Sequence, residues 1–329
     1  MGVPDRRRRA AVPESFYPPG ASDEHELAIS RGRDAGMNHV LDIADLSADE
    51  IEDLYDLTDR MKDDPDAFGD ALSNESLVML FAKPSTRTRI SFETGMTELG
   101  GHAINFSQEQ SQLSRGESLQ DTATVISRYA GGIMARLFEH ETLLELAEGS
   151  ESPVINGLTD KLHPCQALAD GYTLRENGLE DGPIAYVGDG NNVAHSLMQL
   201  CATLDIPCRV ATPPGYEPDA DIQERVADAD VLVTNDPEEA VDGAKAVYTD
   251  VFVSMGDDEG KRAAFEGFQV DEDLMAHTDD AAFMHCLPAH RGEEVSAAVM
   301  DGPNSIVYDQ AENRKHVQKA ILHTVYDED

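Results

Sequence analysis

Five consecutive residues, Ser85-Thr86-Arg87-Thr88-Arg89, place three hydroxyls and two guanidinium groups where the apolar run 77–81 gives way to helical periodicity. A helix that begins there presents free backbone N–H groups and the positive end of its dipole, both of which favour an anion. Arg87 can grip a phosphate through two parallel hydrogen bonds, and Ser85, Thr86 and Thr88 add donors. An ordinary Ser/Thr cap beside solvated arginines is the plainer alternative, but it leaves the crowding of charge unexplained. The glycines and the Gly-Lys-Ser/Thr ending of a Walker A loop are missing.

Three further strand-end segments carry polar chemistry. In His163-Pro164-Cys165-Gln166, Pro164 sets the start of a helix and lets His163 and Gln166 project toward the strand ends. Histidine can donate to a carbonyl oxygen, and glutamine can both accept from and donate to an amide. Taken alone, such a histidine is more often a capping or surface group. Asp250, followed by Ser254-Met255-Gly256, suits the ammonium and carboxylate of an amino acid, although a strand entering a turn fits the same residues. Cys286, in His285-Cys286-Leu287-Pro288, would ordinarily be a small apolar packing residue. In Gly188-Asp189-Gly190-Asn191-Asn192, Val193 occupies the place of the third glycine of a GxGxxG turn. A small polar ligand suits the paired asparagines better than a dinucleotide does.

Alternating elements must position these groups. Ser47 and Glu50 have capping-box spacing ahead of a helix with Ile51, Leu54, Tyr55 and Leu57 on one face. Residues 77–81 predict a buried strand, and Phe92, Met96 and Leu99 share one face of the helix that follows, which stops at Gly100-Gly101. Strands are predicted at 133–135, 154–156, 184–187, 231–233, 246–248 and 282–284. A helix carries Val193, Leu197, Leu200 and Leu204, and the last one carries Val317, Ala320, Ile321 and Val325, with Arg314 a turn earlier on the same side. This alternation predicts an α/β protein of two parallel-sheet domains with the active site in the cleft between them. The expected division is an anion-binding domain at 37–150, a second domain at 151–310, and a helix at 311–329 that packs back on the first.

Composition narrows the class. The 329 residues contain 64 acidic and 25 basic side chains, a formal net charge of −39, with 40% apolar residues and no Trp. That apolar share supports a folded core, so the acid must sit on the surface. A phosphate-rich partner needs a cationic face, which disfavours nucleic acid and acidic membrane as ligands. No run approaches the length of about 18 apolar residues that spans a bilayer. The 18 Arg against 7 Lys, and 36 Asp against 28 Glu, resemble proteins of a salt-filled cytoplasm of haloarchaeal type. Molar salt shrinks the Debye length to about 3 Å and screens the self-repulsion of such a shell. Residues 1–36 hold six basic and six acidic side chains, so the body from Met37 carries the whole charge. Rich in Pro and Gly, that segment reads as a disordered arm or a misassigned start, with Met37 the expected native one. Its arginines precede no apolar signal region, so a cytoplasmic location is expected. The four cysteines show no metal-ligand or CxxC spacing.

The four strand-end segments, in this order, resemble the ornithine carbamoyltransferases of the wider aspartate/ornithine transcarbamylase family, over the chain from about Met37 onward. The resemblance implies transfer of a carbamoyl group from carbamoyl phosphate to L-ornithine, with no metal and no organic cofactor. It implies that Ser85, Thr86, Arg87 and Thr88 hold the phosphate, with Arg314 as a further contact. Arg136, His163 and Thr88 would surround the carbonyl oxygen, while Gln166 and the Leu287 carbonyl would take the carbamoyl amide. Asn192, Asp250, Ser254 and Met255 match ornithine contacts, and Cys286 and Asp250 would orient the amine. Gln112 corresponds to a residue given to a neighbouring subunit's site, which implies a homotrimer or a multiple of trimers. Phe252 stands where the family has Trp. Competing readings are a putrescine-type carbamoyltransferase, a nicotinamide-dependent dehydrogenase on Gly188-Asp189-Gly190, and a non-catalytic acidic interaction protein.

Overall fold

The computed structural model describes residues 39–107, 116–253 and 259–327. The expected arm at 1–36, together with Gln112, Ser254 and Met255, lies outside the described residues. In chain order the elements are α1 (Ala48–Asp63), β1 (Ser76–Phe81), α2 (Thr86–Glu98), β2 (His102–Ser107), α3 (Leu119–Ser127) and β3 (Gly132–Arg136). They continue with α4 (His140–Glu148), β4 (Val154–Leu158), α5 (Pro164–Glu176), β5 (Ile184–Val187), α6 (Asn192–Thr203), β6 (Cys208–Ala211) and α7 (Ala220–Arg225). The last are β7 (Val231–Thr234), α8 (Pro237–Val241), β8 (Ala246–Thr249), α9 (Glu272–Met275), β9 (Ala282–His285), α10 (Ala297–Met300) and α11 (Val307–Tyr326).

Two sheets result, ordered β2-β1-β3-β4 and β7-β6-β5-β8-β9, and every strand pairing among the described residues is parallel. Parallel strands covered by helices on both faces need unbroken apolar runs, and Leu77 to Phe81 are all buried. The edge strands β2 and β7 are exceptions, with residues only exposed or half-buried, and β2 also lacks a continuous apolar run. Val40 adds an isolated bridge to Ile155 at the opposite edge. Strand β4, which follows residue 150, completes the first sheet. An apolar run announces a strand but not which sheet receives it.

Helix α1 starts as its cap residues predict: the Ser47 backbone N–H donates to Glu50 Oε2 at 2.7 Å, and the Glu50 N–H returns to Ser47 Oγ at 3.3 Å. Its buried stripe of Ile51, Leu54, Tyr55 and Met61 shares one core with Phe92 and Met96 of α2 and with Val317, Ala320, Ile321 and Val325 of α11. The final helix thus returns to the first lobe, where the buried Lys319 donates to Glu98 of α2 at 3.0 Å. The second sheet is covered on one face by α6 and on the other by the packing around Val247 and Phe283. Phe252 is buried in that second layer, stacked on Phe265 with ring centroids 4.6 Å apart. Among the described residues, no helix is long and apolar enough to cross a membrane.

Candidate active site

Each sheet reverses its winding once, between β1 and β3 in the first and between β5 and β8 in the second. Ligands of open parallel sheets bind beyond the carboxyl ends of strands at such points, where adjacent loops part to opposite faces. Three of the segments singled out above lie there, while His163-Gln166 and His285-Pro288 follow the neighbouring edge strands β4 and β9. Ser85 to Thr88 follow β1, Arg136 ends β3, Asn191 follows β5 and Asp250 follows β8.

Ser85 caps α2 by accepting from the Thr88 N–H at 3.4 Å, and its hydroxyl donates to Thr88 Oγ1 at 3.0 Å. The same Thr88 oxygen accepts from the Arg314 guanidinium at 3.2 Å, which brings α11 onto the start of α2. Exposed Arg87 reaches across to the other lobe and donates to the Leu287 carbonyl at 2.7 Å. Thr86 is exposed at the first turn of the helix. A shift in the β3–β4 register at Ala135/Arg136 re-aims Arg136 at the end of its strand.

Burial lowers the Arg136 guanidinium to about 10, and the neighbouring charges of Arg314 and Arg87 add to the effect. Burial also lowers Arg314, with Arg87 contributing. His163, at the start of α5, is held well below the usual histidine range by burial and then by Arg314 and Arg136, so its imidazole is neutral at pH 7. Its backbone N–H donates to Ser196 Oγ at 2.8 Å. Arg136 Nε, His163 Nδ1, Gln166 Oε1 and Arg314 Nε are buried without a hydrogen-bond partner among the described residues. Mutually repelling cations and unused polar atoms are costly in a folded protein unless an anionic, hydrogen-bonding ligand offsets them.

On the second lobe, Asp250 accepts from the Asn191 side chain at 2.9 Å, from the Cys286 thiol at 3.0 Å and from the Val251 N–H at 2.8 Å. Burial, followed by the Asp250 charge, pushes the Cys286 thiol well above its ordinary value, so it acts as a donor and not as a thiolate. Asn191, which also caps α6, is the asparagine that holds Asp250; Asn192 donates to the Thr159 carbonyl at 2.5 Å. Leu287 has φ +62°, a left-handed conformation that costs a side-chain-bearing residue roughly 1–2 kcal/mol. Its N–H donates to His285 Nδ1 at 2.9 Å, while His285 Nε2 faces Glu294 Oε1 at 3.2 Å.

Residue types pointed to the Asn191-Asn192 pair without choosing between its members, and they did not single out Glu294, Asp170 or Gln310. Asp170 carried one usable sign, its place one helical turn after Gln166. Gln310 carried none, since its partners are distant in sequence.

Residues 38–176 match the family described as aspartate/ornithine carbamoyltransferase, carbamoyl-P binding domain, and residues 180–325 match its Asp/Orn binding domain. The chain belongs to the aspartate/ornithine carbamoyltransferase family. A catabolic ornithine carbamoyltransferase of Halobacterium salinarum is 63% identical over 293 residues, 88% of this chain and 99% of that one. Solved ornithine carbamoyltransferases of Thermus thermophilus and Pyrococcus furiosus superpose with a TM-score of 0.82 each, at 42% and 44% identity. They cover 88% and 87% of this chain, and 99% and 96% of their own. The two carbamoyltransferase domain matches part between α5 and β5, and the groups described above come from both.

Proposed function

We propose that the chain transfers the carbamoyl group of carbamoyl phosphate to the δ-amino group of L-ornithine, giving L-citrulline and phosphate. The observation that carries this reading is the gathering of Arg87, Arg136 and Arg314 around Thr88 and Leu287 in a chain of net charge −39. Ser85, Thr86, Arg87, Thr88 and the start of α2 hold the phosphate, with Arg314 behind Thr88. Gln166 and the Leu287 carbonyl receive the carbamoyl NH2 group.

The δ-amino group has a lysine-like pKa near ~10.4, so its nucleophilic form costs roughly 4–5 kcal/mol at neutral pH. Asp250, with Asn191 and Cys286 around it, binds the amino-acid end, and Asn192, Ser254 and Met255 complete that contact. Fixing this end orients the free amine for attack on the carbonyl carbon. As the C–N bond forms, the carbonyl oxygen gains charge, and Arg136, His163 and the Thr88 hydroxyl stabilise it. The C–O bond to phosphate then breaks, the proton shed by the attacking amine passes to the departing phosphate, and Arg87 balances the charge that remains. A cytoplasmic homotrimer, or a multiple of it, belongs to the same proposal, with Gln112 offered to a neighbouring copy's phosphate site.

The test is ureido-product formation in molar salt with ornithine, putrescine and aspartate as alternative acceptors. Ornithine should give citrulline, and Arg87→Ala should lower kcat/KM for carbamoyl phosphate by about 10²-fold. Faster turnover with putrescine or aspartate, or unchanged kinetics in the variant, contradicts the assignment.

A further inference from the structure

We propose that Asp170 is a positioning residue: one of its carboxylate oxygens sets the hydrogen-bonding sense of Gln166 and, through Gln310, of the chain leaving β9. This rests on the reading that Gln166 and the Leu287 carbonyl receive the carbamoyl NH2 group. Asp170 lies on α5 and is completely buried. Gln166 Nε2 donates to its Oδ1 at 2.8 Å, and Gln310 Nε2, from α11, donates to the same oxygen at 2.7 Å.

A glutamine amide has one donor arm and one acceptor arm, and their assignment follows from the partners. With the Gln166 NH2 committed to an oxygen that already accepts from the Gln310 NH2, Oε1 becomes the free arm, and it is buried without a partner among the described residues. That is the arm needed to accept from a carbamoyl N–H. A flipped amide would set NH2 against NH2. The second branch works alike: Gln310 is pinned with its Oε1 accepting the His285 N–H at 2.9 Å. His285 Nδ1 in turn accepts from Leu287 N–H, and the Leu287 carbonyl faces Arg87 at 2.7 Å. The two acceptors for one NH2 group are therefore aligned from a single buried atom.

Burial pushes the Asp170 carboxyl up to about 7, opposed by the donors Gln310 and Gln166. Oδ1 can accept in either protonation state, so acceptance and not charge is what the position requires.

The full chain, assayed in molar salt, provides the test. Asp170→Ala should lower kcat/KM for carbamoyl phosphate by about 10²-fold while the KM for ornithine stays within about twofold. Asp170→Asn, which restores an acceptor oxygen of similar shape, should recover most of that loss. A folded Asp170→Ala with unchanged carbamoyl-phosphate kinetics, equal impairment of the Ala and Asn variants, or equal losses for both substrates overturns the proposal. Should Asp170→Ala not fold, Gln310→Leu cuts only the branch to β9 and should cost about tenfold for carbamoyl phosphate; no loss there also overturns it. Gln166→Ala separates the two levels. If it too leaves carbamoyl-phosphate use intact, the underlying site reading fails; if it alone is impaired, only the role of Asp170 fails.

Discussion

A guanidinium set among other guanidiniums loses solvation and gains repulsion, and Arg136 shows both effects in its lowering to about 10. His163 stands in the same field, so its neutral imidazole is the form the fold accommodates. The sign of the pH dependence follows. The unfolded chain protonates His163 near its ordinary pKa of about 6.5, whereas the folded chain does so only at much lower pH. Its contribution is therefore fully present above pH 6.5 and drains as pH falls below it, by up to about 1.4 kcal/mol per pH unit. Denaturant titrations in molar salt should show wild type losing stability below pH 6.5 more steeply than His163→Gln. Parallel pH profiles for the two proteins would remove the argument.

At the level of elements, the site depends on how closely helices approach. Gly171 of α5 faces α1 and α6: a Cβ there would lie 2.2 Å from Tyr55 Oη and 2.8 Å from Leu200 Cδ2. The same helix carries His163 at its start and Gln166 and Asp170 along its length. Gly171→Ala should push α5 outward, cost about 1–3 kcal/mol by overpacking and reduce turnover together with stability. Thermal unfolding and steady-state kinetics in one salt condition check this, and a variant as stable and active as wild type would show that Tyr55 yields freely. The same closeness gives an otherwise unremarkable glycine within the helix a packing role that a better helix former would disturb.

The whole molecule is governed by an excess of acid that its own cations cannot balance. Lys161, Lys261, Lys315 and Lys319 are each within 3.0 Å of a carboxylate, yet 64 acidic side chains face 25 basic ones. Solvent cations must do the remaining screening, and at 0.15 M salt the Debye length of about 8 Å still lets neighbouring surface charges interact. Each kcal/mol of repulsion relieved is worth roughly 1.5 °C in Tm for a chain of this size, at about 2.1 cal/mol/K of unfolding entropy per residue. Raising KCl from 0.1 M to about 2 M should therefore raise Tm by about 10 °C or more. A Tm independent of salt would mean the acid is dispersed too widely to repel itself.

Local rules were legible where a few neighbouring residues decide the outcome. The Ser47 capping box, the buried run at 77–81, the Ser85 cap and the apolar stripe of the last helix are of this kind, because propensity, capping and burial periodicity act over one or two turns. Residue types likewise pointed to an anion site after β1 and to a second group of ligands after β8 and β9. Tertiary structure alone assigned β4 to the first sheet, gave Asp250 to Asn191 and not to Asn192, and brought Gln310 to Asp170 across 140 positions. It also turned Arg87 toward a carbonyl 200 residues away. Such pairings depend on which strands lie beside which and on where each loop emerges, and hydrogen bonds between distant segments leave no periodic mark in either one.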